Sequence, residues 1–149
     1  MRTSIVLALA LGWALPAAGQ TVIDGDTLNY KGATLHLWGV DAPELGQSCG
    51  DGWPAGQIAK EYLAGLIHGR TVTCDLKSTP QPKPAFAVCK IDGQDLSAAM
   101  AADGMAWAYP VQTKDYTVQD SNAMIAVLGV HAHDCLKAWE WRARNQRQQ

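Results

Sequence analysis

The sequence predicts an α+β protein rich in β-structure, on three observations. Apolar and polar residues alternate through 21–40, two further β-type runs lie at 71–76 and 85–91, and residues 55–67, ahead of those two runs, change to helical spacing. At 149 residues the chain has the length of one domain, enough to bury a real core and too short for two independent ones.

Residues 1–19 read as a secretory signal: Arg2, an apolar run from Ile5 to Leu15, then Pro16-Ala17-Ala18-Gly19 with small residues where a peptidase would cut. The expected mature chain is 20–149, exported to the periplasm or beyond. The apolar run is short for a bilayer span, and no later segment comes near the needed length.

Within 21–40, turn signals at Asp24-Gly25 and Lys31-Gly32 mark a short antiparallel meander. Leu35 and Leu37 fall on one face of its last strand, with Thr34, His36 and Trp38 on the other. Gly39 to Pro43 should end that strand, because proline has no N–H for a ladder. The helix is announced by Ala55, Ile58, Ala59, Tyr62, Leu63, Leu66 and Ile67, with Pro54 at its start and Gly69 just past its end. The linker between the two following strands alternates Pro80, Pro82 and Pro84, which predicts an extended, unpaired segment. Asp92-Gly93 predicts a tight turn, Leu96, Ala99 and Met100 a short helix, 105–109 a last short strand, and 116–128 a final helix closed by Gly129.

The chemistry concentrates in two acidic motifs, Asp24-Gly25-Asp26-Thr27 and Trp38-Gly39-Val40-Asp41-Ala42-Pro43-Glu44, with no arginine beside them. Carboxylates gathered in a partly dry cleft repel one another unless a cation lies between them, so the pattern points to a hard-metal site. The competing reading is turn chemistry, in which an aspartate beside glycine or proline bonds its own backbone; Asp24 fits that reading.

The two motifs at this separation resemble the staphylococcal nuclease family. The likeness extends through Gly69-Arg70-Thr71-Val72-Thr73-Cys74, Ala87-Val88-Cys89, Asp92-Gly93-Gln94-Asp95-Leu96, Gly104-Met105-Ala106-Trp107-Ala108-Tyr109 and Trp139-Glu140-Trp141-Arg142. The resemblance implies a five-stranded barrel of the oligonucleotide/oligosaccharide-binding (OB-fold) type with about three packed helices. It also implies Asp26 and Asp41 as calcium ligands, the Ala42 carbonyl as a third, and Glu44 as the carboxylate that activates or orients water.

Two departures bear on activity. The family's first catalytic arginine precedes the second ligand aspartate by five residues, and that place is held by His36. The second precedes the Asp-Gly turn by eight, which lands on Pro84; neighbouring Lys83 is a weak substitute, being a point charge on a flexible stem. Such arginines neutralise charge that grows in the transition state, and losing one in related phosphoryl chemistry slows the reaction by about 10³- to 10⁵-fold. Any activity expected here is therefore that of a low-efficiency calcium-dependent nuclease.

Cys49, Cys74, Cys89 and Cys135 form an even set in an exported chain, which favours two disulfides. Three pairings are open. Cys74 and Cys89 on consecutive predicted strands favour a cross-strand bridge, which leaves Cys49 to staple the tail, 130–149, through Cys135 to the loop after the acidic motif. A metal–thiolate site is the rival, without a Cys-x-x-Cys pair to support it.

Removing Arg2 with the signal leaves 11 of the 12 basic residues against 14 acidic ones, a net charge of −3, so no overall basic bias favours nucleic acid. Arg142, Arg144 and Arg147 cluster in the tail and read as a solvated end. Trp53, Trp139 and Trp141 are candidates to line a ligand groove, whereas Trp38 and Trp107 read as core. His131-x-His133 with Asp134 reads as a polar loop more than as a metal site. The alternative function is a non-catalytic exported module that binds single-stranded nucleic acid, envelope polysaccharide or a protein partner.

Overall fold

The computed structural model describes residues 19–77 and 85–147; residues 1–18 of the expected signal segment and the proline linker, with Lys83 and Pro84, lie outside the described residues. β1 (Gln20–Val22), β2 (Thr27–Tyr30) and β3 (Ala33–Leu37) form the antiparallel meander. Lys31 and Gly32 both have positive φ, 51° and 83°, which turns β2 into β3 in two residues. β4 (Val40–Asp41) follows, then α1 (Ala55–Ile67), β5 (Val72–Leu76), β6 (Ala85–Ile91), β7 (Gln94–Asp95), α2 (Leu96–Ala102), β8 (Trp107–Ala108), α3 (Thr117–Ile125), a single 3-10 turn at Gly129–His131, and α4 (Ala138–Gln146).

The main sheet runs β1-β2-β3-β6-β5 with β7 beside β6, and β4 pairs with β8 in a two-stranded sheet. The β3–β6 contact is parallel and sets His36 opposite Phe86. The sheet does not close into a barrel by backbone pairing among the described residues. At the gap, the Gln20 side chain donates from Nε2 to the Arg70 carbonyl and accepts from the Val72 N–H at 2.9 Å. A carboxamide there does for one residue what a strand ladder would do for several.

The core lies between the sheet and the helices. Leu28, Leu35, Leu37 and Ile91 from the strands meet Leu63 and Ile67 of α1 and Leu96 and Met100 of α2, all buried. Each apolar side chain removed from water there stabilises the fold by roughly 1.5–3 kcal/mol. α1 buries Ala55, Ala59, Leu63 and Ile67 of the expected stripe together with Gly56, while Ile58, Tyr62 and Leu66 are half-buried. That glycine is indispensable to the packing, since a Cβ on Gly56 would lie 1.8 Å from the Glu44 carbonyl oxygen.

Three elements depart from expectation. The expected last strand shrinks to Trp107–Ala108. The helix expected over 116–128 stops at Ile125, and Val127 takes φ 55°. The chain then bends so that Val130 N–H reaches the Gly104 carbonyl at 2.8 Å, so close that a Cβ on Gly104 would lie 2.3 Å from the Leu128 carbonyl oxygen and one on Gly129 would lie 2.1 Å from the Gly104 carbonyl oxygen. Tertiary contact between two glycines thus overrides a modest apolar stripe. The third departure is α4, which adds a fourth helix where only a tail was expected. It is polar nearly all round and fully buries only Ala138, so periodicity carries almost no signal for it.

Candidate functional site

The ends of β2, β3 and β4 converge on a cavity of about 360 Å³. Asp24, Asp26, Asp41 and Glu44 supply four carboxylates to its lining, and His36, Phe86, Tyr109, Gln112 and Arg142 complete the polar and aromatic wall. Asp26 sits just before β2; its Oδ2 accepts the Ala42 N–H at 2.7 Å and its Oδ1 the Thr27 hydroxyl at 3.1 Å. Asp24 accepts the Asp26 N–H at 3.1 Å, the local turn role read from the sequence. Gly25 lets this turn press onto the next motif, because a Cβ there would lie 2.7 Å from the Cβ atoms of both Ala42 and Ala59.

Burial pushes the Asp26 carboxyl above its ordinary range; the contact with His36 opposes the shift, and Asp24 adds to it. The His36 imidazole is raised in turn, chiefly by Asp26. Its Nδ1 stands 3.7 Å from Asp26 Oδ1, longer than a direct hydrogen bond, and 3.3 Å from the Thr27 hydroxyl. His36 is thereby engaged with the acidic wall, not held out toward an incoming anion.

The structure corrects the expectation that the tail arginines are a solvated end and that no arginine stands beside the acids. Arg142 of α4 enters the cavity and grips Asp41 through a two-pronged pair, Nη1 to Oδ1 at 2.9 Å and Nη2 to Oδ2 at 2.7 Å. Nη1 also donates to Glu44 Oε1 at 2.6 Å. The planar guanidinium fits a carboxylate in this way where a lysine ammonium could not. Asp41 first, and Glu44 after it, raise the guanidinium further above its already high pKa, so Arg142 is permanently charged. Arg144 and Arg147 do remain exposed.

What brings an arginine across the molecule is a junction between the loop after β4 and the tail. Cys49 and Cys135 are disulfide-bonded, 86 residues apart in sequence, and Cys74 and Cys89 form the second bridge. Gln47 is buried at 1% exposure; its Oε1 accepts the Glu44 N–H at 3.1 Å and its Nε2 donates to the Leu136 carbonyl at 2.6 Å. Gly50 N–H reaches the Asp134 carbonyl at 2.6 Å. One loop therefore carries Glu44 at its start and fastens the segment that leads into α4. Sequence reading missed both Gln47 and Arg142. The available signal was the expected Cys49–Cys135 staple, which sets Arg142 seven residues from a point already anchored beside the acids.

The other candidates lie apart from the cavity. Trp53 is half-buried and stacks on His133 with ring centroids 4.3 Å apart. Trp139 packs edge-on against Trp107 at 6.4 Å and tilts against Tyr109 at 5.5 Å. Trp141 borders a separate depression of about 430 Å³ with Ser48, Asp134, Arg144 and Asn145. His131 and His133 diverge, the first to Asp120 at 2.8 Å and the second to Asp51 at 2.6 Å. Lys83 falls outside the described residues.

Calcium takes six to eight oxygen ligands. Asp26, Asp41 and the Ala42 carbonyl are of the right chemistry, but both Asp41 oxygens and one of Glu44 are bonded to Arg142, and one Asp26 oxygen is bonded to a backbone N–H. Among the described residues no group of three or more His, Cys, Asp or Glu side chains is arranged to hold a metal ion. As arranged, these residues do not fit calcium.

Comparison with known proteins bears on the same region. Residues 34–148 match the family described as staphylococcal nuclease homologue. The chain is 29% identical over 129 residues to an uncharacterized endonuclease of Haemophilus influenzae, covering 81% of this chain and 69% of that protein. It is 28% identical over 120 residues to Protein ParB of Escherichia coli, covering 71% of this chain and 64% of that one. No described helix is long and apolar enough to cross a membrane.

Proposed function

Because the chain belongs to the staphylococcal nuclease family across 34–148, we propose that the cavity is a phosphodiester site for single-stranded nucleic acid with little hydrolytic power. The observation that carries this reading is where the positive charge goes. Arg142 spends three of its five N–H donors on Asp41 and Glu44, and His36, in the place of one family arginine, faces Asp26. The other arginine place is Pro84. Little cationic surface is left to meet the charge that grows on a phosphate in its transition state. In this reading Glu44 is the residue assigned to orient water, and Arg142 holds it in place.

The test is cleavage of heat-denatured DNA by the mature, disulfide-bonded chain, beside the double variant His36→Arg/Pro84→Arg. The variant is expected to be faster by about 10³-fold, the lower end of what one transition-state arginine supplies. A wild-type rate already equal to the variant's would overturn the reading. Export belongs to the same proposal and is checked by N-terminal sequencing, which should begin at Gln20; two disulfides are what an oxidising compartment sustains.

A second reading, binding of envelope polysaccharide without catalysis, is favoured by the depression that Trp141 lines together with Asp134, Arg144 and Asn145. Quenching of tryptophan fluorescence on titration with polysaccharide, absent in Trp141→Ala, is its expected signature.

A further inference from the structure

We infer that the depression beside the end of α1 is a second contact for the phosphates of single-stranded nucleic acid, gripped by Lys60 and Arg70 with His68 beside them. The inference rests on reading the protein as a binder of such strands, and it concerns a surface separate from the carboxylate cavity. The depression measures about 460 Å³ and lies where β1 meets α1. Val22, Ala64 and Ile67 give it an apolar floor, and Lys60, His68 and Arg70 a basic rim; among the described residues no carboxylate lines it. The cavity has the opposite character, with four acids around one arginine.

The positive charge in the depression is uncommitted. Among the described residues, His36, His131, His133 and Arg142 each face a carboxylate at 3.7 Å or less, whereas Lys60, His68 and Arg70 enter no ion pair. His68 and Arg70 flank the α1 C-terminus, where cations also answer the helix dipole. Lys60 lies about two turns before that end and beyond the reach of the effect, so the dipole does not account for the cluster. Cations around an apolar floor suit a sugar–phosphate strand, whose phosphates meet the charges while sugars and base edges meet the floor.

The depression also lies within reach of the cavity. Val22 of the depression and Asp24 of the cavity are two residues apart, at most about 7 Å along the chain. On α1, Lys60 stands one turn beyond Gly56, which presses on the Glu44 carbonyl. A strand with one phosphate in the cavity therefore reaches the depression within a few nucleotides, inside the roughly 4–16 that an OB-fold accommodates.

The experiment is fluorescence anisotropy across a salt series, with a labelled thymidine dinucleotide and a labelled oligothymidylate of about 12 nucleotides, beside flotation with phosphatidylglycerol vesicles. The proteins are the mature disulfide-intact chain, Lys60→Gln/Arg70→Gln, and the charge-matched control Lys90→Gln/Lys114→Gln, whose residues line neither surface. The Gln20 contact uses the Arg70 carbonyl, so the Arg70 substitution leaves it in place. Lys60→Gln/Arg70→Gln is expected to bind the longer strand about tenfold more weakly than the control, with a salt slope shallower by about 1.4, the value for two phosphate contacts on a single strand. The dinucleotide, too short to span both surfaces, should bind all three proteins alike. Equal affinity and equal salt slope in the two variants would overturn the inference and leave the cavity reading intact. No binding of either strand by wild type would overturn both. A difference seen with the vesicles and not with the longer strand would give the depression to a lipid headgroup and overturn its assignment to nucleic acid.

Discussion

The two disulfides are chemically alike and sit in contrasting regions. Cys74 and Cys89 face each other on β5 and β6, where five consecutive residue pairs already fix the register. Cys49 and Cys135 join a loop to a tail that shares no strand pairing with it. The first bridge therefore reinforces geometry that a strand ladder has settled, whereas the second joins two segments without a ladder, helped by the Gln47–Leu136 and Gly50–Asp134 hydrogen bonds. The candidate site depends on the second: the junction that Cys49–Cys135 closes is the one that sets Arg142 against Asp41 and Glu44.

Breaking each bridge is the sharpest way to test that contrast. In the chain-entropy account, a loop of 86 residues is worth about 4.6 kcal/mol and one of 15 about 3 kcal/mol. Cys49→Ala/Cys135→Ala should thus lower stability in urea by more than Cys74→Ala/Cys89→Ala. Only the first pair should also speed amide hydrogen exchange in α4, by loosening its docking beside the loop. Equal exchange in α4 for both pairs would show that α4 docks without its tether.

The next effect is steric. Gly56→Ala forces a methyl to within 1.8 Å of the Glu44 carbonyl oxygen, which is backbone and cannot swing aside. A loss of about 3 kcal/mol is expected, at the upper end for overpacking, with the Glu44 loop displaced from Arg142. Gln47→Leu keeps the volume but strands the Glu44 N–H and the Leu136 carbonyl in a buried place, for about 2 kcal/mol. Urea melts order these variants, and a Gln47→Leu protein as stable as wild type would show that the junction does not rely on that carboxamide.

The smallest effect is one of pH at the same junction. The His133 contact, and after it the Trp53 N–H, hold the Asp51 carboxyl below its ordinary 3.8. A depressed carboxylate contributes stability that is fully present above its unfolded pKa and is lost as pH falls through the folded one. Asp51→Asn should therefore lower Tm slightly at pH 6, with the difference closing as the pH drops below about 3.8. A difference that persists unchanged into strong acid would assign Asp51 a role that does not depend on its charge. The side chain is solvent-exposed, so the shift is expected to be at the limit of detection.

Local chemistry made much of this molecule readable. The Lys31-Gly32 and Asp92-Gly93 turns, the α1 stripe and the Asp26 and Asp41 motifs all follow from rules that act over a few residues. Features that were not readable share one trait, which is that their determinants sit far apart. α3 ends early because Gly104 and Gly129 touch, the sheet gap is bridged by Gln20 reaching Arg70 and Val72, and α4 is a polar helix that its own residues hardly announce.

The acids of the site belong to the first class. They sit in turns and strand ends whose backbone is dictated by glycine and proline close by, so neighbouring residues alone reveal that carboxylates gather and that the family's two arginine places hold no arginine. What faces those carboxylates was decided only in three dimensions. Arg142 lies 98 residues from Glu44 along the chain and reaches it through a disulfide, a buried carboxamide and a helix start. Charge pairing depends on distance in space, and no local propensity encodes a distance that three separate long-range contacts must set.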